Sequence, residues 1–371
     1  MKTQSNVGIA NTELMRSDLN LSSIRRILVT RFRFMGDVIL TTPVISSLKE
    51  ALPQAEISYL VEPPYDALLQ HNPDIHGIIP FQRHRYDHCN WVTSLRLQWQ
   101  LVQRLREKRF DLAIDLFGIP RSAWFVFFTG APIRIGGKFR YRHHLYTHTF
   151  DTKTGWQTAI EFHYLALKTL GLGQINQIVR SQPKVYLTSK EIDWAENFLK
   201  THKLNKKKFL IGLHPGGTWP AKLWPEHYYA ELAKRLHREL DTQVIFTHGP
   251  KEKEIVRRLK EKVEEAAFFV PLLSLRQLAA LLQQCDLYIS NDCGPMHLAV
   301  AVGTPTFGIF GPSEPDIWFP YDPRQGHRAI YKPIACRPCH LHQCPRLHQC
   351  MTEVSVSDVL KHVENVLPRA S

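Results

Sequence analysis

The sequence predicts an α/β protein built from two doubly wound, Rossmann-like domains that face a central cleft. The chain has 371 residues, more than a single hydrophobic core usually serves. Short apolar runs alternate with segments of helical spacing, which is typical of parallel sheets covered by helices. This alternation is interrupted by a polar, lysine-rich stretch at 202–208 and then begins again.

The first half opens with a β–loop–α unit. Residues 26–31 are predicted as a buried strand, and residues 37–52 have apolar side chains at helical spacing. Further strands of this half are predicted at 57–61, 77–81, 110–116 and 132–135, with helices at 95–107 and 159–170.

The second half repeats this organisation. Strands are predicted at 209–214, 243–248, 267–270, 287–290 and 306–310, with helices beginning at Glu226, Lys251, Ser274 and Gly294. We assign residues 1–24 to an N-terminal extension, 25–195 to the first domain and 196–371 to the second.

Charge and composition limit the kinds of partner. The formal net charge is +13, which favours anionic partners. The sequence contains no zinc-finger, RNA-recognition or other nucleic-acid signature, so we expect no nucleic-acid partner. It also shows no secretory signal and no apolar run long enough to span a membrane, so we expect a cytoplasmic protein with reduced cysteines.

The loop after the first strand, residues 31–37, carries the first candidate site. Gly36 allows a tight turn, and Asp37 stands at the start of a helix, where a carboxylate caps free backbone amides. Taken alone, the residues favour this helix-cap interpretation. Because the loop opens onto the predicted cleft, Asp37 is also a candidate general base for a substrate hydroxyl.

Two loops of the second half carry candidate phosphate-binding groups. Residues 214–225 combine Gly217 and Thr218 with Lys222, which suits an anionic phosphate but also fits a plain surface turn. Residues 290–299 run from a strand end into a helix whose first amides suit a diphosphate. In this loop we expect Asp292 either to cap the helix or to be free to bind sugar hydroxyls.

Three segments together resemble a known family. Residues 35–53 (MGDVILTTPVISSLKEALP), 214–225 (HPGGTWPAKLWP) and 291–315 (NDCGPMHLAVAVGTPTFGIFGPSEP) are similar to the three signatures of glycosyltransferase family 9, the bacterial heptosyltransferases. The resemblance covers roughly residues 25–365. It implies a GT-B architecture, with acceptor binding in the first domain and donor binding in the second.

The resemblance also implies a reaction and its residues. The donor would be ADP-heptose, the acceptor the inner core of lipopolysaccharide on lipid A, and transfer would invert the anomeric carbon without a metal or other cofactor. Asp37 would be the base, with Arg31, Arg33 and Gly36 in the acceptor-side loop. Donor-binding residues would be Gly217, Thr218, Lys222, Asp292, Gly294, Met296 and His297, with Glu252 as a further candidate for the ribose.

Two features have open interpretations. Cys336, Cys339, Cys344 and Cys350 form a C-x2-C-x4-C-x5-C arrangement with zinc-like ligands. Because similar cysteine-containing tails occur among heptosyltransferases, we favour a structural role or reduced thiols.

The helical segment 95–110 is apolar on one side and basic along its length. It suits either an anionic inner-membrane surface, at the cytoplasmic face, or ordinary packing on the sheet, which we favour.

Other function classes remain as alternatives. A dehydrogenase would carry a G-x-G-x-x-G fingerprint in the first β–α turn, and this sequence does not. A glycosyltransferase of the same fold that uses another nucleotide sugar, and a non-catalytic protein that binds anionic glycolipids, are both compatible with the sequence.

Overall fold

The computed structural model describes residues 20–172, 182–204 and 208–367, and these form two six-stranded parallel sheets. The first sheet has the order β3-β2-β1-β4-β5-β6, with strands β1 Arg26–Thr30, β2 Glu56–Val61, β3 Gly77–Pro80, β4 Leu112–Asp115, β5 Ile133–Gly137 and β6 His148–Phe150. The second has the order β12-β11-β10-β7-β8-β9, with strands β7 Leu210–His214, β8 Gln243–Phe246, β9 Phe268–Phe269, β10 Leu287–Asn291, β11 Thr306–Ile309 and β12 Arg328–Ile330.

Helices connect the strands in both halves. The first half contains α1 Met35–Ile39, α2 Thr42–Ala51, α3 Arg83–Asp87, α4 Trp91–Glu107, α5 Pro120–Phe128 and α6 Ala159–Thr169. Then follow α7 Ser189–Thr201, α8 Glu226–Glu239, α9 Lys253–Val263, α10 Leu275–Gln283, α11 Gly294–Ala301, α12 Pro315–Trp318, α13 Gln349–Thr352 and α14 Val356–Glu364. The predicted fold class of two doubly wound units is confirmed.

The structure corrects several predicted elements. The single helix predicted at 37–52 is interrupted, because the Thr41 and Thr42 hydroxyls bond the carbonyls of Val38 and Ile39 and Pro43 has no N–H to continue the ladder. Strands β6 and β12 were not predicted. Each has three residues at a sheet edge, too few for a periodic signal.

The candidate loops follow strands at the centre of each sheet. The strand order reverses between β1 and β4 in the first sheet and between β7 and β10 in the second. Ligands of doubly wound folds bind at such switch points, beyond the carboxyl ends of the strands. The loops after β1, β7 and β10 are therefore in the position that this fold uses for binding.

The two halves share buried apolar contacts. The core of the first half includes Val29, Val38 and Ile57 from its own sheet and helices, and Met296 and Val300 from α11. The sheets are thus joined through side chains beside the candidate site, and the geometry between the two loops is set by packing.

The predicted division between residues 195 and 196 falls inside α7. Leu199 of this helix packs with Leu210 and Ile245 of the second half, and we propose that the division lies before Ser189. Residues 1–19 of the predicted extension and residues 205–207 of the predicted linker lie outside the described residues. Across the described part of the chain, no helix combines the length and hydropathy of a membrane span.

Candidate active site

The start of α1 and the start of α11 lie against each other. A Cβ atom added to Gly36 would lie 2.5 Å from Cδ2 of His297, and one added to Gly294 would lie 2.8 Å from Cβ of Met35. Real Cβ atoms do not approach other atoms so closely, so this contact requires glycine on both sides. The loop predicted on the acceptor side and the loop predicted on the donor side therefore meet.

Asp37 stands in the first turn of α1, next to this contact. Its Oδ1 lies 2.6 Å from Nη2 of Arg31, and its Oδ2 accepts a long hydrogen bond of 3.4 Å from the Phe34 backbone N–H. The helix-cap interpretation thus has a structural basis. The side chain nevertheless keeps 21% of its surface exposed, so it is not sealed from solvent.

Arg31 and Arg33 belong to the same loop, as predicted from the sequence. Arg31 also donates from Nη1 to the Leu116 carbonyl at 2.9 Å and lies 4.6 Å from the centre of the Phe117 ring. These contacts hold the guanidinium, and through it the Asp37 carboxylate, in one orientation. The Arg33 guanidinium lies over the Phe34 ring at 5.3 Å.

Lys222 and Asp292 form an ion pair across the second half. Nζ of Lys222 lies 2.5 Å from Oδ2 of Asp292, which also accepts a hydrogen bond from Ser313 Oγ at 2.5 Å. The ammonium lies 4.6 Å from the centre of the Trp219 ring. An ammonium has three donors, so Lys222 can hold Asp292 and bind a phosphate oxygen at the same time.

The expectation that Asp292 caps the helix was wrong, whereas its expected contact with sugar hydroxyls stays a prediction. The cap position of α11 is Cys293, without a side-chain cap bond, and Oδ2 of Asp292 is occupied by two donors. The side chain is buried, and a buried carboxylate needs such partners because desolvation disfavours its charge. Its interactions orient Lys222 and Ser313.

His297 lies between the acceptor-side and donor-side loops. Its Nδ1 lies 2.5 Å from the Tyr321 hydroxyl. Burial lowers the pKa of His297 to about 4, against the opposing influence of the Asp292 and Asp37 charges and with a smaller contribution from Lys222. The His297 ring is therefore neutral near pH 7. Asp292, Asp37 and Lys222 all lie close enough for their charges to affect its pKa.

Met296, predicted in the donor site, is a core residue. Its side chain is fully buried, and its sulfur would lie 2.7 Å from a Cβ atom placed on Gly308. The prediction is corrected for this side chain, since it packs under β11 and faces away from solvent. The pattern of α11 did not reveal this because six of its eight residues are buried and no apolar stripe stands out.

The glycine loop after β7 is backed by Glu252. A Cβ atom on Gly216 would lie 1.9 Å from the Glu252 carboxylate, whose Oε2 lies 3.5 Å from His214 Nε2 and accepts the Gly249 N–H at 2.6 Å. Burial alone would raise the pKa of Glu252, but the His214 interaction and the Gly249 amide hold it at about 2. Glu252 is thus an ionised support beneath this loop, with Gly217 half-buried and Thr218 exposed.

Two residues that organise the site were not predicted. Asn291 donates from Nδ2 to the Pro215 and Gly216 carbonyls, both at 2.9 Å, and so joins the loops after β7 and β10. Asp115 at the end of β4 accepts five hydrogen bonds, from Thr30, Phe117, Gly118, Ser122 and Tyr146. Asn291 belongs to the third signature segment, residues 291–315, so the sequence marked its position. Nothing in the sequence around Asp115 indicates its hydrogen-bond partners.

The cysteine segment at 336–350 packs beside the Lys222 loop. Trp219 stacks on His342 with ring centres 3.9 Å apart, and the Ala221 N–H donates to the His342 carbonyl at 3.1 Å. The four thiols are free. Within the described ranges, no group of three or more His, Cys, Asp or Glu side chains is arranged to hold a metal ion. Through the ring stacking and the backbone hydrogen bond, this segment supports the Lys222 loop.

Two doubly wound parallel sheets, with the candidate loops beyond the carboxyl ends of their strands, define a GT-B type of fold. Residues 98–349 match the model of glycosyltransferase family 9 (heptosyltransferase), and the chain belongs to this family. It is similar to lipopolysaccharide heptosyltransferase 1 of Pseudomonas aeruginosa, with 27% identity over 86% of this chain and 87% of the relative. Lipopolysaccharide heptosyltransferase 2 of Salmonella typhimurium is 30% identical over 82% of this chain and 86% of the relative.

The fold agrees with a solved member of the family. The crystal structure of the family 9 glycosyl transferase from Veillonella parvula superposes with a TM-score of 0.83 at 25% identity, covering 94% of this chain and 98% of that one. The GT-B architecture implied by the sequence motifs is confirmed, and the chain is a glycosyltransferase.

Proposed function

We propose that this protein transfers heptose from ADP-heptose to the inner core of lipopolysaccharide, with Asp37 as the general base. The observation that carries the proposal is the contact between Gly36 and His297. It brings a partly exposed carboxylate on the first half next to the start of α11, where His297 lies near the charges of Asp37 and Lys222. A transferase needs such a base on the acceptor side and cationic groups on the donor side.

The chemistry follows from these positions. The acceptor hydroxyl oxygen forms a bond to the anomeric carbon of the donor while its proton passes to the Asp37 carboxylate. The bond between that carbon and the diphosphate oxygen breaks, and ADP departs with the electron pair. Because the nucleophile enters from the side opposite the leaving group, a single displacement inverts the anomeric carbon.

The second half would stabilise the departing diphosphate. Lys222 supplies a positive charge that Asp292 and the Trp219 ring hold in place. The first turn of α11 presents free amide groups and the positive end of a helix dipole. Together they would offset the charge that develops on ADP, so the residues of this chain supply the electrostatic stabilisation.

The relatives support the choice of sugar and acceptor. Both curated relatives described above are named lipopolysaccharide heptosyltransferases, and the signature segments imply ADP as the nucleotide. An acceptor on lipid A would place the enzyme at the cytoplasmic face of the inner membrane, peripherally bound. The basic surface of the protein suits that location.

The test is ADP release from ADP-heptose, with and without a deacylated, Kdo-containing core acceptor. We expect acceptor-dependent release from the intact protein. Asp37→Asn keeps the shape and the hydrogen bond from Phe34 but removes the base, so turnover should fall by roughly 10²–10⁴-fold. The dissociation constant of ADP should change little, because the carboxylate lies on the acceptor side.

Asp87→Asn is the matched control, since Asp87 is also a part-exposed carboxylate paired with arginines. It should retain turnover. Release that requires no acceptor, or an Asp37→Asn variant as active as the intact protein, would contradict the proposed reaction. Activity with a different nucleotide sugar in place of ADP-heptose would reassign the donor but leave the proposed role of Asp37 as general base unchanged.

A further inference from the structure

An exposed aromatic patch covers the outer surface of α4 and α5. Its large apolar side chains each keep between 37% and 74% of their surface exposed. They are Trp91, Leu95, Trp99, Trp124, Phe127 and Phe128. Isolated exposed apolar residues are common, but a contiguous group of this size marks an interaction surface.

The helix α4 carries two apolar stripes, and the fold buries only one. Leu101 and Leu105 pack into the core of the first half, as expected for a helix lying on a sheet. Trp91, Leu95 and Trp99 follow one another at i, i+4 and i+8, so they share a different side of the helix. These three side chains are turned to solvent, while Val102, further along the same side, is buried in the core.

The side chains of the patch are arranged around a groove. Leu95 and Trp99 from α4, with Trp124 and Phe128 from α5, line an open groove of about 410 Å³. The rings of Trp124 and Phe128 stack with centres 5.5 Å apart, and Phe127 meets Trp124 edge-on at 5.9 Å. The aromatic rings therefore form one continuous surface.

The surroundings of the patch are strongly basic. Residues 116–150 contain five Lys or Arg and no acidic residue, and α4 adds Arg96 between Leu95 and Trp99. One of these cations, Arg121, pairs with Asp87. The turn Arg140–Leu145, next to α5, adds Tyr141 with 88% of its surface exposed. Aromatic rings flanked by cations match the chemistry of an anionic lipid surface, where rings enter the headgroup region and cations contact phosphates.

We propose that the aromatic patch docks the protein on an anionic phospholipid bilayer. Trp99, Trp124 and Phe128 would enter the interface, while Arg96 and the cations of residues 134–142 would contact headgroups. Arg104 lies on another side of α4, near Arg85 and Tyr86, and the Lys108 carbonyl bonds Arg26 at the start of β1. The basic end of α4 is therefore separate from this surface.

The proposal rests on the surface alone and not on the sugar that is transferred. Its test is co-sedimentation of the intact chain with vesicles of phosphatidylcholine alone and of phosphatidylcholine with phosphatidylglycerol. We expect binding to the anionic vesicles and little to the neutral ones. The variant Trp99→Ser/Trp124→Ser/Phe128→Ser should bind at least about tenfold more weakly.

The variant Leu272→Ser removes an exposed leucine of the second half and should bind like the intact protein. Brominated lipid chains should quench tryptophan fluorescence of the intact protein and not of the triple variant. All variants should keep their turnover with a water-soluble acceptor.

Equal binding of the triple variant and the intact protein would overturn the proposal, as would the absence of binding to anionic vesicles. Lipid-free self-association that the triple variant abolishes would assign the surface to a second copy of the chain instead. Each of these outcomes is independent of the ADP-release assay, so docking and catalysis are tested separately.

Discussion

Gly36 and His297 touch where the two halves of the molecule meet, with room for a hydrogen and none for a methyl group. His297 is itself held by Tyr321, so the contact joins α1 to a rigid neighbour. Asp37 follows Gly36 directly. The position of the proposed base relative to the donor loops is therefore set by a backbone that only glycine allows.

Gly36→Ala tests this relationship. The new methyl group would lie 2.5 Å from the His297 ring, so α1 and α11 must separate or the ring must leave Tyr321. We expect the free energy of unfolding to fall by about 1–3 kcal/mol and turnover to fall with it. Gly77→Ala is the control, because its Cβ would meet only Ser58 Oγ at 3.6 Å. Denaturant unfolding and initial rates are measured for both variants. Equal losses of stability and turnover in Gly36→Ala and Gly77→Ala would contradict this explanation.

Lys222→Met tests the binding of the diphosphate. The variant removes the cation and leaves the buried Asp292 carboxylate facing the donor phosphates. The dissociation constant of ADP, measured by titration calorimetry, should rise by roughly 10–100-fold because a charge-assisted bond is lost. An unchanged constant would exclude Lys222 from the donor site.

The double variant Asp292→Asn/Lys222→Met distinguishes the effect of the Asp292 charge on ADP binding from the effect of the Lys222 charge. If the unpaired carboxylate repels the phosphates, the double variant should bind ADP more tightly than Lys222→Met alone. Additive losses would show that Asp292 acts on the donor independently of Lys222.

Glu191 links stability to pH. Arg276 donates to both of its carboxylate oxygens, at 2.7 and 2.6 Å, and to the Tyr186 and Ala67 carbonyls. The Arg276 hydrogen bond, opposed by partial burial and assisted by Thr188, lowers the pKa of Glu191 to about 2. A lowered pKa in the folded state gives stability that is present above the unfolded pKa and is lost as pH falls from about 4.5 through 2.

Glu191→Gln should lower the free energy of unfolding at pH 7 by about 1.5–3 kcal/mol, the usual size of a charged hydrogen bond. The difference from the intact protein should shrink as pH falls towards 3, since Glu191 then gains a proton in the unfolded chain while its folded-state pKa of about 2 keeps it ionised in the native protein. Urea unfolding of both proteins at a series of pH values measures this difference in the free energy of unfolding. A difference that does not change with pH would contradict the assignment to the ionised Glu191–Arg276 pair.

Asp115→Ala should destabilise the loops on the acceptor side. It leaves five buried or half-buried donors without their shared acceptor, so the free energy of unfolding should fall by about 3–5 kcal/mol. Asp115→Asn keeps one oxygen and should cost less. Asp241→Asn, which removes an exposed partner of Lys208 and keeps a residue type that tolerates its φ of 47°, should change stability by at most about 0.5 kcal/mol. Thermal unfolding of the three variants ranks them.

The local sequence was enough to predict the fold class and the three loops. Buried parallel strands are short apolar runs, and the glycines and prolines that follow them mark the turns, so both signals are present within a few neighbouring residues. Gly36, Asp37, Lys222 and Asp292 were identified as candidate site residues in this way. The split between α1 and α2 was missed because two threonines and a proline act through hydrogen bonds that periodicity does not record.

Only the tertiary structure decided which of these residues meet. Lys222 and Asp292 are 70 residues apart, and their ion pair, like the contact of Gly36 with His297, depends on how two sheets pack together. The same holds for α4, whose two apolar stripes are equivalent in sequence. Burial of Leu101 and exposure of Trp99 follow from the side of the helix that faces the sheet, because hydrophobic spacing indicates an apolar face but not what covers it.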